Sequence, residues 1–488
     1  MARSDAAPNP LAPPWLHVPA DANALVPGLW SRTTDRVDGE LVVGGVAVGE
    51  LAGRFGTPLY VVDEADARAR AAEVRRAFDR AFAEVGSAAK VYYAGKAFLS
   101  IEIARWMDEA GLNIDVCTGG ELAVALAAGV DPERLGFHGN NKSLAEIDQA
   151  VGARVGAIVI DSLQEIGRVA EAAERHGVRQ SVRLRVNSGV HAHTHAFLAT
   201  AHEDQKFGIA LDRAAEAVAL IRSHGSLEFR GLHCHIGSQI FGADGFVESA
   251  ARLLSVHKEL LSGGDVPELN LGGGFGIAYT AADDPASIDE LARRIAVTVQ
   301  TGCEALEIPT PVVAFEPGRS IIGTAGLTLY TVGTIKDVPV IVQDDGETAV
   351  RRYVSVDGGM SDNARRALYE ADYSARIANR VSAAAPELVR VAGKHCESGD
   401  IVVDAEYLPG DIVPGDLLAV PATGAYCWSL SSNYNHVGRP PVIAVRDGEA
   451  RVIVRGETIE DLLARDAGYA PAAPATTAGS VPKERSNA

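Results

Sequence analysis

The amino-acid sequence predicts two domains, a parallel (β/α)8 barrel and a discontinuous antiparallel β domain. Three observations support this prediction. Short apolar runs alternate with helical stretches eight times between residues 91 and 318. After Gly318 the apolar runs follow one another without long helices between them. A chain of 488 residues is also longer than one ordinary core requires.

Eight candidate strands define the predicted barrel. They are VYYAGK (91–96), NIDVC (113–117), RLGFHG (134–139), AIVIDS (157–162), VRLRVN (182–187), RGLHCHIG (230–237), ELNLGGG (268–274) and VVAFEPG (312–318). Helical segments lie between them, and Ser100 is a predicted N-cap for one of these helices. Regular alternation of strands with helices predicts a parallel sheet, and eight such units match a closed barrel.

The segments after Gly318 read as strands of an antiparallel domain. Residues 40–63 have the same character, so we expect them to join that later domain. The predicted limits are an N-terminal extension (1–36), a first part of the β domain (37–62), the barrel (63–317), the C-terminal β domain (318–466) and a disordered tail (467–488). The tail and the first 20 or so residues are of low complexity and can bury little apolar surface.

The amino-acid composition indicates which binding partners and which cellular compartment to expect. The net charge is −19, and such a negative field repels nucleic acid and anionic membranes. No run of 18 or more apolar residues predicts a membrane span. The five cysteines form no CxxC pair, and their number is odd, so a disulfide framework or a structural zinc site is not expected. These features predict a cytoplasmic protein.

Polar residues mark the C-terminal ends of the predicted barrel strands, where barrel enzymes place their chemistry. These are Lys96, Asp115, His138, Asp161, Asn187, His235, the glycines 272–274 and Glu316. We interpret Lys96 as a lysine whose pKa is lowered by partial desolvation, which favours a Schiff base. Taken alone, Lys96 reads more simply as a strand-end lysine that reaches solvent.

The two segments after the seventh and eighth strands suggest a phosphate site and a cofactor ring site. LGGGFG (271–276) lets backbone N–H groups approach a phosphate, although a tight turn explains such a run equally well in isolation. In EPGR (316–319), Glu316 is suited to keeping a ring nitrogen protonated and Arg319 to binding a carboxylate. A surface ion pair is the alternative interpretation of that motif.

Other residues complete the candidate site. His235 has the flat ring needed to stack on a cofactor, and Ser238 has a hydroxyl for a phosphate, although most single histidines are ordinary core residues. Cys396, in CESGD, is a candidate general acid. Arg365 and Tyr369 are four residues apart and are expected to share a helix face. Tyr426 can offer a phenol to a phosphate.

A metal site is not predicted. The three histidines in HAHTH (191–195) alternate along a predicted strand, but no other residues complete a metal shell around them. The lysine, the carboxylate for a ring nitrogen, the glycine loop and the acid together are the set that a pyridoxal-phosphate (PLP) site needs.

The same motifs carry a family resemblance. YYAGKA, HCHIGSQ, LGGGFG, EPGR, CES and GAYC resemble the alanine-racemase-like, fold-type III PLP decarboxylases. DVCTGGEL, HGNNKS, HEDQKFG and SVDGGMSDN add a specific resemblance to the diaminopimelate decarboxylase family. The resemblance covers residues 40 to 466, which leaves only the two ends outside it.

The resemblance implies decarboxylation of meso-2,6-diaminopimelate to L-lysine, the last step of lysine biosynthesis. Lys96 would carry PLP, His235 would stack on its ring, and Cys396 would donate the proton that replaces CO2. The implied cofactor-binding set is Lys96, His235, Ser238, Gly273, Gly274, Glu316, Pro317, Gly318, Arg319 and Tyr426. The implied substrate-binding set is Arg319, Arg365, Tyr369, Glu397 and Tyr426. Cys396 and Glu397 would come from the other subunit of a homodimer.

Alternatives remain within and outside this family. Another fold-type III decarboxylase would act on ornithine, arginine or carboxynorspermidine. Arg319, Arg365 and Glu397 argue against the first two because they suit a second amino-acid end. A racemase would need a second base, commonly a tyrosine, where this chain has Cys396. A non-catalytic PLP-binding protein would typically lack the second domain.

Overall fold

The computed structural model describes residues 9–190, 206–342 and 348–469. The HAHTH histidines lie outside the described residues, as does the predicted tail from residue 470 onward. The first described elements precede the barrel. They are β1 (Asp35–Val37), β2 (Glu40–Val43), β3 (Val46–Ala47), α1 (Val48–Phe55), β4 (Leu59–Asp63) and α2 (Glu64–Glu84). Strands β1–β3 form a small antiparallel sheet.

The barrel elements alternate as the sequence predicts. They are β5 (Ala89–Ala94), α3 (Ile101–Glu109), β6 (Asn113–Val116), α4 (Gly119–Ala127), β7 (Leu135–Phe137), α5 (Leu144–Ala153), β8 (Ala157–Ile160), α6 (Leu163–His176), β9 (Gln180–Asn187), β10 (Ile209–Ala210), α7 (Ala214–Ser223), β11 (Leu227–His233), α8 (Asp244–Leu261), β12 (Glu268–Asn270), α9 (Ile288–Leu306), β13 (Val312–Phe315) and α10 (Arg319–Ile322). The expected N-cap of α3 is confirmed, because the Ser100 side chain accepts a hydrogen bond from the Ile103 N–H.

The eight strands close into a parallel barrel, so that prediction is confirmed. Each barrel strand pairs in parallel with the next, and β13 pairs with β5 to close the ring. The short β10 adds to the edge of β9. Strands buried on both faces are rich in Val, Ile and Leu, as in AIVI of β8, because helices cover the outside and side chains fill the inside.

The remaining elements form the second domain. They are β14 (Gly326–Ile341), β15 (Thr348–Val356), α11 (Arg365–Tyr369), β16 (Arg376–Ile377), β17 (Pro386–Ala392), β18 (Ile401–Pro409), β19 (Leu417–Pro421), β20 (Val442–Arg446), β21 (Glu449–Val454) and α12 (Ile459–Leu463). Strand β4 lies between β14 and β20 in this sheet, so the second domain includes chain from both sides of the barrel.

The expectation of a purely antiparallel second domain is wrong for two pairs of strands. Strand β15 pairs in parallel with β17, and β4 pairs in parallel with β20. Neither pair is joined by a hairpin. The chain between β15 and β17 passes through α11 and β16, and the whole barrel separates β4 from β20. Long connections of this kind permit parallel pairing, which tight turns forbid.

Two apolar clusters hold these layers together. The larger runs from the barrel into the second domain, and the smaller packs Leu29 and Trp30 against β4 and its neighbours. Part of the predicted N-terminal extension therefore contributes to the core of the second domain. Within the described ranges, no helix is both long enough and apolar enough to cross a membrane.

Candidate active site

The C-terminal ends of β5 and β13 meet around Lys96. Lys96 lies in the turn that follows β5, and EPGR follows β13. The Ala94 N–H donates to the Pro317 carbonyl at 3.1 Å. A Cβ at Gly318 would lie 3.0 Å from the Cβ atoms of Ala94 and Ala97, so a larger residue would disturb this contact. Pro317 and Gly318 thus hold the EPGR segment against the lysine turn.

Lys96 has an exposed side chain between two buried neighbours, Gly95 and Ala97. The lysine therefore projects into an open space inside the protein. Burial alone lowers the pKa of Lys96, but Tyr426 and Cys117 raise the pKa by more, and Glu316 adds to the rise. The net pKa lies above the ordinary value. The expectation that desolvation lowers the pKa of Lys96 is therefore wrong, because acidic groups surround the amine.

Glu316 is the charged carboxylate at the centre of the barrel mouth. The Asn270 amide donates to Glu316 Oε1 at 2.7 Å, and His233 Nε2 lies 3.0 Å from the same oxygen. Burial alone raises the pKa of Glu316, yet His233 and His138 hold it well below its usual value. Glu316 is ionised at neutral pH for this reason.

Asp115 is a second buried acid close to Glu316, and its pKa is shifted in the opposite direction. Burial and the nearby charge of Glu316 raise the pKa of Asp115 well above its usual value. His138 lies between the two acids, with Nε2 3.0 Å from Asp115 Oδ1 and 3.5 Å from Glu316 Oε1. Burial lowers the pKa of His138 to about 4, so its ring is neutral. The different environments of the two acids thus shift their pKa values in opposite directions.

The same groups form a cluster of potential metal ligands. One atom each from His138, His233 and Glu316 lies within 4.8 Å of the other two. The sequence did not predict this grouping, because His138 follows β7 and His233 belongs to β11, and the two strands are far apart in the chain. The Asn270 amide and the two imidazoles already surround Glu316 Oε1, which accounts for the cluster as a hydrogen-bonded carboxylate.

His235 and the glycine loop are packed against each other. The Gly273 N–H donates to His235 Nδ1 at 3.3 Å, which leaves the ring proton on Nε2. Burial, and then Lys96, lower the pKa of His235 well below its usual value, so the ring is neutral. Gly274 has φ +109°, and a Cβ there would lie 2.3 Å from the Gly237 carbonyl. Only glycine fits this turn.

Arg319 joins three side chains at the rim of the barrel. Its Nη2 donates to Ser238 Oγ at 3.0 Å, and its Nη1 donates to the Tyr279 hydroxyl. The guanidinium also lies 4.5 Å from the Tyr426 ring centroid. Tyr426 is anchored beside Lys96, because its N–H donates to the Ala97 carbonyl at 2.8 Å. The structure thus brings Ser238, Arg319 and Tyr426 together at this rim.

Arg365 lies on the other side of Tyr279. Its side chain donates to the Tyr373 hydroxyl at 2.6 Å, and its guanidinium lies 4.2 Å from the Tyr279 ring centroid. Arg365 is only 5% exposed. Neither Arg319 nor Arg365 forms an ion pair with an acidic residue in the described ranges. Two arginines without a carboxylate partner, one of them buried, form a site suited to an anion.

Three predicted residues are not brought to Lys96 in this chain. Tyr369 is 65% exposed, although it shares the helix α11 with the buried Arg365. The helix has five residues, and only the first of them, Arg365, is buried, where it contacts Tyr373. Cys396 and Glu397 are both exposed, and Cys396 is held by its N–H bond to Asn435 Oδ1 at 3.1 Å. The described contacts do not link this loop to Lys96.

Comparisons with known proteins agree on one family. The profile described as "Pyridoxal-dependent decarboxylase, pyridoxal binding domain" matches residues 71–323. The diaminopimelate decarboxylase of Mycobacterium tuberculosis is 50% identical over 448 residues, which cover 90% of this chain and 98% of that protein. The chain belongs to the diaminopimelate decarboxylase family.

More distant members of the diaminopimelate decarboxylase family match over a similar range. The Bacillus subtilis enzyme is 44% identical, with 88% of this chain and 95% of that protein covered. The crystal structure of the diaminopimelate decarboxylase of M. jannaschii in complex with L-lysine has a TM-score of 0.82 at 32% identity. It covers 90% of this chain and 98% of that chain. Both domains described above are therefore shared with that structure.

Sequence reasoning missed three residues at this diaminopimelate decarboxylase site. His233 had a signal, because it alternates with His235 in HCH and neighbours two apart in a strand share a face. Asn270 also had a sequence signal, since it directly precedes the LGGGFG motif (271–276). Its amide donates to Glu316, and its Oδ1 accepts from the Gly272 N–H at 2.8 Å. Tyr279 had no signal, because its neighbours Arg319 and Arg365 are distant in sequence.

Proposed function

We propose that this chain decarboxylates meso-2,6-diaminopimelate to L-lysine and CO2 with PLP as cofactor. The observation that carries the proposal is the pair of arginines, Arg319 and Arg365, which contact Tyr279 without an acidic partner in the described ranges. Diaminopimelate carries a carboxylate at each end, so it can satisfy both. Ornithine or lysine would leave one arginine unpaired, at a cost in binding.

The residues at the barrel mouth fit PLP. Lys96 supplies a primary amine in an open space, and Glu316 supplies an ionised carboxylate nearby. The cofactor, when bound, withdraws electrons from the substrate's α-carbon as its carboxylate departs. Glu316 holds the proton on the ring nitrogen, and Asn270 and His233 fix the direction of that carboxylate. His235 presents a neutral ring for stacking.

The phosphate group is assigned to the glycine loop and the rim. A Cβ at Gly273 would lie 2.0 Å from the Glu316 carbonyl oxygen, and one at Gly274 would lie 2.3 Å from the Gly237 carbonyl oxygen, so neither position accepts a side chain. Ser238, Gly318 and Tyr426 complete this phosphate-binding set. The set lies beside Lys96 because the Tyr426 N–H is bonded to Ala97. The distance between phosphate site and amine is therefore fixed by backbone contacts, which favours productive orientation.

Substrate recognition is assigned to Arg319, Arg365, Tyr369, Glu397 and Tyr426. The arginines bind carboxylates, and Glu397 binds the distal amine by charge. Tyr369 and Glu397 are exposed in the single chain and do not reach Lys96 within it. A homodimer in which the other subunit supplies Glu397 is the arrangement that completes this set. Leu368 on α11 is 58% exposed as well, which supports an apolar contact at that surface.

Cys396 is assigned as the proton donor, and it reaches the site from the other subunit of a homodimer. The thiol is exposed, while its neighbour His395 is buried and bonded through Nδ1 to Asp400 at 3.0 Å. The loop is therefore anchored at His395, while the side chains of Cys396 and Glu397 are exposed in the single chain. The rival thiol is Cys117, whose charge interaction with Lys96 places it in the same chain's site. Burial raises the pKa of Cys117 to about 12.

A cytoplasmic location is part of the same proposal. All five cysteines are free thiols in the structure, and Cys234, Cys303 and Cys427 are buried. Free thiols persist in a reducing compartment.

Turnover of diaminopimelate tests the proposed function directly. The PLP-loaded protein is expected to form lysine from meso-diaminopimelate, and to leave ornithine, arginine and carboxynorspermidine unchanged. Lysine is measured by chromatography, and CO2 release confirms the stoichiometry. Turnover of ornithine or arginine in preference to diaminopimelate would refute the substrate assignment and favour another fold-type III decarboxylase.

Replacement of Arg365 by Gln tests the substrate carboxylate site. Arg365→Gln is expected to raise the KM for diaminopimelate about 10- to 100-fold, the effect of a charged hydrogen bond worth about 1.5–3 kcal/mol. PLP binding should be unchanged. Arg366→Gln is the matched control, because Arg366 is its neighbour on α11 but pairs with Asp372 at 2.6 Å. Equal KM values in the two variants would remove Arg365 from substrate binding.

A further inference from the structure

A second cavity lies at the amino-terminal end of the barrel, opposite Lys96. It has a volume of about 490 Å³. Its wall includes the first residues of β5, β9 and β12 and the chain just after α5 and α6. A cavity of this size holds a small molecule. It shares no lining residue with the PLP and substrate site assigned above.

Positive charge dominates this cavity, although the protein as a whole has a net charge of −19. The cationic lining residues are Lys90, Arg154, Arg179, Arg183 and Arg230. Only two lining residues are acidic, Glu133 and Glu268. The C-terminal ends of α5 and α6 add about half a negative charge each. A positive excess remains after this correction, so the cavity attracts anions.

Three of the cations share one carboxylate. Lys90 Nζ lies 2.6 Å, Arg183 Nη2 2.8 Å and Arg230 Nη2 3.1 Å from the oxygens of Glu268. Arg183 and Lys90 lower the pKa of Glu268 to about 2, against the opposing effect of its burial. One negative charge cannot neutralise three positive charges.

Arg183 is the buried member of this group, at 2% exposure. Its Nη2 also donates to the Tyr92 hydroxyl at 2.8 Å, but its Nη1 has no hydrogen-bond partner among the described residues. An unpartnered guanidinium nitrogen in the interior is costly. An anion in the cavity would add negative charge beside this group.

Arg154 and Arg179 lie at the rim of the cavity. Both are exposed, and neither forms an ion pair with an acidic residue within the described ranges. Arg154 is fixed at the end of α5 by a left-handed backbone, with φ +61°. Arg179 is positioned by its Nε bond to the Leu227 carbonyl at 3.3 Å. The rim thus offers two exposed arginine side chains, of which Arg179 is held by a hydrogen bond, above a positively charged floor.

We propose that this cavity binds a small oxyanion that carries at least two negative charges, of the phosphate or dicarboxylate class. Arg154 and Arg179 bind it from the rim, and Lys90 and Arg230 contribute charge from the floor. Guanidinium groups suit both chemical types because they donate paired hydrogen bonds to planar or tetrahedral oxyanions.

The test uses the PLP-loaded enzyme, so that the cofactor's own phosphate site is filled. Binding of inorganic phosphate and of succinate is measured in parallel by isothermal titration calorimetry at low salt. We expect the double variant Arg154→Gln/Arg179→Gln to bind the preferred anion at least about tenfold more weakly, a change of about 1.4 kcal/mol. The control Arg213→Gln removes an exposed arginine that pairs with Glu216, away from the cavity.

The outcomes are distinct. Weaker binding in the double variant, with wild-type binding in Arg213→Gln, supports the cavity, and the anion with the larger loss identifies the class. Equal affinity in all three proteins, or no binding of either anion, overturns the proposal. The PLP absorbance band checks that each variant is folded and loaded. The result does not depend on decarboxylase activity, so it stands apart from the test of the proposed function.

Discussion

A mixture of two inactive variants, Lys96→Ala and Cys396→Ala, is expected to recover about a quarter of wild-type turnover if the sites are shared across a homodimer. Lys96→Ala loses the amine that holds the cofactor. Cys396→Ala binds the cofactor but loses the proton donor. In a mixed dimer, one of the two sites takes Lys96 from one chain and Cys396 from the other, so that site is complete.

The quarter follows from random exchange of subunits. About half of the dimers are then mixed, and about half of their sites are intact. The variants are mixed after brief exposure to mild denaturant, and lysine formation is measured before and after. The control mixes Lys96→Ala with the double variant Lys96→Ala/Cys396→Ala, in which every site lacks the lysine. This control should stay inactive.

Two results would contradict the shared site. If Cys396→Ala alone keeps wild-type turnover, Cys396 is not the proton donor, and Cys117 of the same chain becomes the candidate. If verified mixed dimers stay inactive, each chain supplies its own lysine and its own acid. The exposed position of Cys396 and its lack of contact with Lys96 in the single chain favour recovery.

The barrel was predictable because local signals agree with its global topology. Each strand is a short apolar run followed by a helix, and several of these helices have a side-chain cap, as with Ser100 before α3. The pairing inside the second domain was less predictable. The expectation that residues 40–63 join the later sheet holds for β4 only, because β2 and β3 belong to the small separate sheet. The parallel contact of β4 with β20 depends on where the chain returns after the barrel. No local sequence pattern predicts which strand of the later chain pairs with β4.

In the candidate site, too, the residues within local motifs were predictable, whereas the features that depend on contacts between distant segments were not. HCHIGSQ, LGGGFG and EPGR mark the barrel mouth because each motif ends a strand. The raised pKa of Lys96 could not be inferred, since it depends on Tyr426 from the second domain and Cys117 from the next strand. The contacts of Tyr279 with Arg319 and Arg365 likewise join segments from both domains.

Replacement of Glu316 by Gln is expected to reduce kcat by about 100-fold or more, the usual cost of removing one preorganised electrostatic group from an active site. The glutamine keeps the shape of the side chain but lacks its negative charge. The ring nitrogen of the bound cofactor then loses the partner that keeps it protonated, and electron withdrawal from the substrate weakens. The pH dependence of the cofactor's absorbance should shift in this variant.

Asp115→Asn is the matched control for this prediction. Asp115 and Glu316 lie on either side of His138, and both are carboxylates in the barrel interior. Burial and Glu316 raise the pKa of Asp115, whereas the pKa of Glu316 is lowered, so Asp115 is the acid of the pair that is expected to hold a proton. An amide at position 115 therefore removes no charge, and kcat should stay within about tenfold, or 1.4 kcal/mol, of wild type.

Which of the two variants loses more kcat shows which acid carries the negative charge. A large loss in Glu316→Gln with a small loss in Asp115→Asn fits one ionised carboxylate held by Asn270 and His233. The reverse order would mean that the charge belongs to Asp115 and that Glu316 is protonated. Two like charges so close together in the interior would repel each other, so the surroundings of each acid must favour one ionised state over the other. Glu316 Oε1 accepts a hydrogen bond from the Asn270 amide, whereas neither oxygen of Asp115 accepts one from the described residues, although His138 Nε2 lies 3.0 Å from Oδ1.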